Sequence, residues 1–270
     1  MTIQRFDDED ALAAALATRV IEAIAANPEL VLGLPTGRTP LAFYRELRER
    51  SSLSRRRVRR SAAREGGSPK PKADIDWSQV RTFNLDEFVG VGRDHPGSYR
   101  AFMQTELFEH VAIDPANIYM LDGCAADLKA ECRRFEIAIA DAGGIDLQIL
   151  GIGANGHIGF NEPADGLCAH THIAELEQPS REANAQLFGG DWTRVPERAL
   201  SMGMGTILGA RNIVMMATGA EKADAVFEMV EGLITTQLPA SLLQVHPRVT
   251  VMLDETAASR LRRLNPLSTP

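Results

Sequence analysis

The stretch Gly151-Ile152-Gly153-Ala154-Asn155-Gly156-His157-Ile158-Gly159-Phe160-Asn161-Glu162-Pro163 holds the densest group of chemically able residues in this 270-residue chain. A histidine, a glutamate five residues later and two asparagines share one loop, and its glycines let backbone approach a ligand closely. An imidazole oriented by a carboxylate passes a proton at neutral pH, so His157 and Glu162 read as an acid–base pair. A second cluster is Asn84-Leu85-Asp86-Glu87-Phe88. Two adjacent carboxylates at the end of a strand are not both expected to enter a packed core, so at least one should face a crevice. There it serves either as a general base or as a capping or salt-bridging acid. The third cluster is Pro35-Thr36-Gly37-Arg38-Thr39-Pro40. Between a strand and a helix, its backbone N–H groups, the positive helix end and the hydroxyls of Thr36 and Thr39 suit an anion; the alternative is a tight turn with a threonine cap. It matches neither the P-loop nor the dinucleotide fingerprint.

These loops need elements to hold them. Asp10 is a candidate cap for a first helix carrying Leu12, Leu16, Val20, Ile21 and Ile24 at helical spacing, stopped by Asn27-Pro28. Leu30–Leu34 is a short apolar strand, and Leu41–Arg48 an amphipathic helix with Pro40 where a helix start tolerates proline. Strands follow at Val80–Leu85, weakly at Ile118–Met120, and at Ile145–Leu150, with helices expected over Ser98–Val111 and Leu128–Ala142. Beyond the glycine-rich loop, Ala199–Met202, Ile213–Ala217 and Val249–Leu253 read as strands, and Ala220–Val230 and Pro239–Gln244 as helices. This alternation predicts an α/β, Rossmann-like domain with a mostly parallel open sheet covered on both faces. Ligands of such sheets sit beyond the carboxyl ends of the strands, where all three polar loops fall. With no internal repeat and no clean linker, one domain over 1–270 is expected.

Composition removes several classes. The balance of 44% hydrophobic to 24% charged residues is that of a globular protein. Of 29 basic and 36 acidic residues, eight and one respectively fall between Ser51 and Lys72. The acidic remainder is unsuited to nucleic acid, since phosphate binding needs a field of one sign. The basic block, with Gly66-Gly67-Ser68-Pro69, is expected to be a mobile surface insertion over 51–72. It joins a helix to a strand, which puts it at the end of the sheet opposite the polar loops; a polyanion tether is the alternative. Cys124, Cys132 and Cys168 lack disulfide-framework or metal-ligand spacing. The N-terminus has no secretory pattern and no apolar run reaches membrane length, so a soluble, cytoplasmic protein without membrane partners is expected.

Taken together the motifs carry a resemblance. Leu34-Pro35-Thr36-Gly37 with Thr39-Pro40, Phe83–Phe88 with Asp94-His95-Pro96 and Ser98-Tyr99, and Asn155–Pro163 look like the glucosamine-6-phosphate deaminase family. The similarity continues through Gly203–Leu208, Thr218-Gly219-Ala220 with Lys222, and Pro239–Gln244 with His246. It implies a sugar-phosphate-isomerase type of α/β fold. The implied reaction converts an amino-sugar 6-phosphate and water to ketose 6-phosphate and ammonia, with neither metal nor cofactor, and classes the protein as a hydrolase of amino-sugar catabolism. In that picture His157, oriented by Glu162 and accompanied by Asn155, moves the proton that opens the pyranose ring. Asp86 takes the C2 proton and delivers one to C1. Thr36, Gly37, Arg38, Thr39 and Lys222 hold the phosphate of this small-molecule partner.

The chain departs from the family pattern at three places. Asn155 stands where many members have aspartate. The family's phosphate-binding arginine, in an Asn-Ser-Arg-Phe context, is replaced within Asn184-Ala185-Gln186-Leu187, and Arg38 is a candidate to compensate. Regulated members carry Ser-Arg-Thr-Arg where this chain has Ala169-His170-Thr171-His172, which puts an effector site in doubt. Galactosamine 6-phosphate is an open alternative substrate. A 6-phosphogluconolactonase would more typically show Asp-Glu-Arg in the second motif and lack Asn-Glu-Pro. A sugar-phosphate-sensing regulator would need a helix-turn-helix module for which no segment is expected here. A non-catalytic binding protein and a homo-oligomer both stay open.

Overall fold

The computed structural model describes residues 1–61 and 75–262. In chain order the elements are β1 (Thr2–Phe6), α1 (Glu9–Ala26), β2 (Val31–Leu34), α2 (Leu41–Ser61), β3 (Arg81–Asn84), β4 (Asp86–Phe88), α3 (Tyr99–Met103) and β5 (Ile118–Tyr119). There follow α4 (Leu128–Asp141), β6 (Leu147–Leu150), β7 (His172–Glu175), α5 (Gln178–Ala183), β8 (Arg198–Ser201), α6 (Met204–Leu208), β9 (Asn212–Ala217), α7 (Ala223–Glu231) and β10 (Val249–Asp254).

Seven strands form one sheet in the order β1-β10-β9-β6-β2-β3-β5, and every neighbouring pair is parallel. Its central strands are apolar without interruption because both faces are covered. Alternate residues divide between two cores. Leu32, Leu34, Ile149, Val214, Met216 and Met252 pack with Leu12 and Leu16 of α1 and Phe43 and Leu47 of α2. Val31, Leu150, Ile213, Met215, Val251 and Leu253 pack with Phe135 of α4, Ile207 of α6 and Val226 and Met229 of α7. From β2 the chain proceeds outward through β3 to β5, then returns to the other side of β2 at β6 and continues to β9 and β10. The order therefore reverses between β2 and β6, and the loops leaving these two strands open a crevice there.

The expected parallel α/β sheet is present, with local differences that have physical reasons. Asp8, not Asp10, caps α1, accepting from Ala11 N at 2.8 Å, while Asp10 pairs with Arg45. β1 was not read as a strand; as a half-exposed edge strand it carries no apolar run. The helix expected over Ser98–Val111 turns from α into a π-helical turn at Gln104–Phe108, which brings the consecutive Leu107 and Phe108 both into the core. A second sheet, β4-β8-β7, is antiparallel and was not anticipated as such. The expected insertion over 51–72 does not begin as a loop. Helix α2 continues to Ser61, and Ser51 is buried. The remainder of that expectation, from residue 62 on, lies outside the described residues. Among the described residues no helix is long and apolar enough to cross a membrane.

Gly33 of β2 faces its register partner Gln148 of β6, and a Cβ on Gly33 would lie 2.0 Å from Gln148 Oε1. Gln148 is fully buried, and its Nε2 donates to the Ile149 carbonyl at 2.9 Å. Gly33→Ala should therefore lower unfolding stability by about 1–3 kcal/mol through overpacking. Urea denaturation checks this, and the double variant Gly33→Ala/Gln148→Ala is expected to be more stable than Gly33→Ala alone.

Candidate active site

Strand β3 ends at Asn84, and one residue later the chain leaves the parallel sheet for the antiparallel one. Leu85 spans the junction: its N–H donates to the Leu34 carbonyl at 3.3 Å and its carbonyl accepts from Met202 N at 2.7 Å. Asp86 and Glu87 then alternate across β4 and point to opposite faces. The expectation that both acids could not enter packed structure is corrected, because Asp86 is 6% and Glu87 3% exposed, while Asp86 is the one on the crevice side. Glu87 is the capping acid. It accepts from Phe88 N at 2.9 Å, from Tyr99 N at 3.0 Å and from Arg100 N at 3.0 Å, tying β4 to the start of α3. Burial raises its pKa against the pull of those three N–H groups.

Asp86 faces the crevice loops. Thr36, at the end of β2, donates its hydroxyl to Asp86 Oδ1 at 3.1 Å. Burial pushes the Asp86 pKa up to about 7; the Thr36 hydrogen bond opposes this and the charge of Glu87 adds to it. A carboxyl titrating there both takes and returns a proton near neutrality. The Thr36 hydroxyl, expected on an anion, is thus committed to the carboxylate.

The loop after β6 packs directly against this acid. Gly159 has φ +57°, and a Cβ there would stand 3.5 Å from Asp86 Oδ2 and 3.2 Å from Ser201 Oγ. Ser201 accepts from Phe160 N at 3.0 Å, anchoring the loop to β8. Asn161 does the same with Nδ2 bonds to the carbonyls of Ile158 at 2.8 Å and Met202 at 2.9 Å. Gly153 leaves room for the imidazole, since a Cβ there would lie 2.2 Å from His157 Cε1.

Asn155, His157 and Glu162 form one hydrogen-bonded chain. Asn155 Nδ2 donates to Glu162 Oε2 at 2.9 Å, while Asn155 Oδ1 meets His157 Nδ1 at 2.7 Å and the His157 backbone N–H at 3.2 Å. A carboxylate requires the amide NH2 on its side, so the amide oxygen faces the imidazole. An amide oxygen only accepts, so His157 Nδ1 carries a proton and Nε2 is left for chemistry. Glu162 Oε2 also stands 3.5 Å from His157 Nδ1. Burial alone would raise the Glu162 pKa, but His157, Ser180 and Asn155 together hold it at about 2. The negative charge of this chain therefore resides on Glu162, whereas Asn155 transmits orientation without charge.

The remaining expected residues lie on the loops that follow β2 and β9. Gly37, at φ +98°, turns the loop after β2, with Arg38 exposed and Thr39 half-buried before α2. Lys222 follows β9 in a short 3-10 turn entered through Gly219, whose φ is +92°. Burial lowers the Lys222 pKa; Glu221 opposes this and the Arg38 charge lowers it further, so the two cations feel one another. In strand order the loops of β9, β6, β2 and β3 are adjacent. They supply Lys222, the His157 chain, Arg38 and Asp86 side by side. Gln186 is exposed and uncharged.

Three contributors were not expected as site residues. Tyr99 packs its ring against Phe88 with centroids 4.7 Å apart and donates its hydroxyl to Asn184 Oδ1 at 2.8 Å. Ser180 donates to Glu162 Oε1. Ser201 sits opposite Asp86 in the β4–β8 register. Tyr99 falls inside a quoted motif, but nothing in the spacing of Ser180 or Ser201 marks them; both act through pairing of distant segments.

An open parallel sheet with a buried acid and an oriented imidazole at its switch point defines an α/β enzyme of proton-transfer chemistry. A family model described as glucosamine-6-phosphate isomerases/6-phosphogluconolactonase matches residues 7–252, and the chain belongs to that family. A Halothermothrix orenii protein named glucosamine-6-phosphate deaminase is 46% identical over 235 residues, covering 87% of this chain and 89% of its own. A Bacillus subtilis protein named glucosamine-6-phosphate deaminase 2 is 44% identical over 242 residues, covering 89% and 90%. The solved structure of a monomeric glucosamine-6-phosphate deaminase superposes with a TM-score of 0.84 at 36% identity, covering 96% of this chain and 99% of that one. These findings correct the expected hydrolase class. The family is described by isomerases and the curated relatives are named deaminases, and in aldose–ketose chemistry the defining step is proton transfer between neighbouring carbons.

The burial of Asp86 has a consequence for stability. Its folded pKa of about 7 lies above the unfolded value of roughly 3.9, so the folded state binds the proton more tightly. Stability contributed by the neutral acid is complete below about pH 4 and is lost as pH rises to about 7. Asp86→Asn is therefore expected to gain thermal stability relative to the parent protein between pH 5 and pH 8. Unfolding midpoints measured across that range test it.

Proposed function

We propose that this chain is an amino-sugar-6-phosphate deaminase that converts glucosamine 6-phosphate and water to fructose 6-phosphate and ammonia. The observation that carries the reading is Asp86, a buried acid with a pKa of about 7, lying against the loop that holds a fixed Nδ1–H imidazole. His157 Nε2 moves the proton from the anomeric hydroxyl to the ring oxygen, breaking the C1–O5 bond. Glu162 stabilises the positive imidazolium formed on the way. Asp86 then takes the C2 proton to give an enolamine and returns a proton to C1. Water adds to the resulting C2 ketimine, and ammonia leaves.

Orientation comes from the phosphate. Gly37, Arg38 and Thr39 on the loop after β2 and Lys222 after β9 supply charge-assisted donors for the phosphate, which hold the sugar with C2 at Asp86. The Arg38 charge contributes to the lowered Lys222 pKa, which supports two cations close enough to share one anion. Three free thiols fit a reducing compartment, and we place the enzyme in the cytoplasm.

Ammonia release from glucosamine 6-phosphate and galactosamine 6-phosphate is the direct test. Turnover of glucosamine 6-phosphate is expected, with Asp86→Asn slower by about 10²–10⁴-fold, the usual contribution of a general acid–base group. Absence of turnover with either sugar would overturn the reading, and faster turnover of galactosamine 6-phosphate would reassign the epimer. Arg38→Ala is expected to raise KM about tenfold, the order of one charge-assisted hydrogen bond, while kcat changes far less. An unchanged KM would remove Arg38 from the phosphate site.

A further inference from the structure

Helix α5 reaches Glu162 through Ser180, and its C-cap residue Asn184 reaches Tyr99. Ser180 is 3% exposed and donates its hydroxyl to Glu162 Oε1, the oxygen that Asn155 does not use. Asn184 donates Nδ2 to the Ser180 carbonyl at 2.9 Å and accepts from the Tyr99 hydroxyl at 2.8 Å. The Tyr99 backbone N–H is in turn held by Glu87, the neighbour of Asp86. The helix itself is anchored independently of these contacts. Arg181 donates to the carbonyls of Val195 at 3.0 Å and Thr193 at 3.2 Å, with its guanidinium 5.1 Å over the Trp192 ring. Loss of the Ser180 hydroxyl therefore leaves α5 in place.

We propose that Ser180 is a positioning residue of the proton relay, holding the Glu162 carboxylate against Asn155 Nδ2 so that the Asn155 amide oxygen, which also accepts from the His157 backbone N–H, stays aligned with His157 Nδ1. The argument follows from donor and acceptor identities. Ser180 fills one carboxylate oxygen and directs the other at Asn155 Nδ2, whose amide then faces His157 Nδ1 with oxygen only. Without the hydroxyl, the carboxylate turns about its terminal torsion and the Asn155 amide loses the alignment of its Nδ2 partner. As the Asn155 oxygen moves off line with Nδ1, the Nδ1–H tautomer loses its acceptor and the ring proton is shared with Nε2, which weakens the proton acceptor on the crevice side. The Ser180 hydroxyl thus supports a tautomer three hydrogen bonds away. Only the kinetic part of this inference rests on the deaminase reading.

The test compares the full-length parent protein with Ser180→Ala and Ser180→Thr. Long-range proton–nitrogen spectra of the histidine rings, with His157→Gln to assign the signals, should show Nδ1 protonated and Nε2 unprotonated in the parent at pH 8. Ser180→Ala should average the two nitrogens, and Ser180→Thr, which keeps the hydroxyl, should restore them. With glucosamine 6-phosphate, kcat of Ser180→Ala should fall at least tenfold while KM stays within about twofold, and Ser180→Thr should recover most of it. Unchanged ring nitrogens in Ser180→Ala, or a loss of kcat that Ser180→Thr fails to recover, would overturn the positioning role. If the parent protein releases no ammonia, the deaminase reading falls and the histidine spectra still decide the proposal.

Discussion

Everything in this site is arranged around the burial of one carboxyl group. Asp86 sits at the seam where the chain passes from a seven-stranded parallel sheet into a three-stranded antiparallel one, with 6% of its surface exposed. Burying a carboxylate is costly unless it is hydrogen-bonded, and among the described residues only Thr36 donates to it. The shortfall keeps the proton affinity high. Glu87, one residue later, is given three backbone N–H partners that pull against the same effect of burial. The same strand therefore carries one acid turned to Thr36 and the loop after β6 and another tied to the start of α3, and the strand pleat is what separates them.

The polar chain beside it works with a different economy of charge. Glu162 carries the negative charge, Asn155 carries none, and the two together define the imidazole by direction rather than by neutralising it at close range. An aspartate at residue 155 would add a second anion beside Glu162. The asparagine avoids that repulsion while keeping one oxygen on His157. Orientation of the relay then depends on what holds Glu162, which draws α5 into the site.

Much of the architecture was legible because it is local. Uninterrupted apolar strands, the glycine loop after β6 and the proline-bounded loop after β2 each announce themselves in a few neighbouring residues. Asp86, His157 and Glu162 stood out for the same reason: polar groups were concentrated where a βα loop must fall. Elements with weak local signals were missed. The half-exposed edge strand β1 has no apolar run, β7 and the role of β8 depend on antiparallel partners far along the chain, and the helix after Tyr99 widens to satisfy core packing. The length of α2 was also underread, since the basic run Arg55-Arg56-Arg57 resembles loop composition although α2 extends through it.

The sequence by itself determined the parallel α/β class, the loops that bear the chemistry and the identity of the residues able to move protons, because periodicity and motif spacing are properties of neighbouring residues. Tertiary structure alone decided which of two adjacent acids meets Thr36 and the loop after β6, that the Asn155 amide faces one way, and that Ser180 reaches Glu162. Those outcomes depend on burial and on hydrogen bonds across long stretches of chain, up to 50 residues between Thr36 and Asp86. Proton affinity and tautomer are set by such surroundings, and surroundings exist only once the strands have paired.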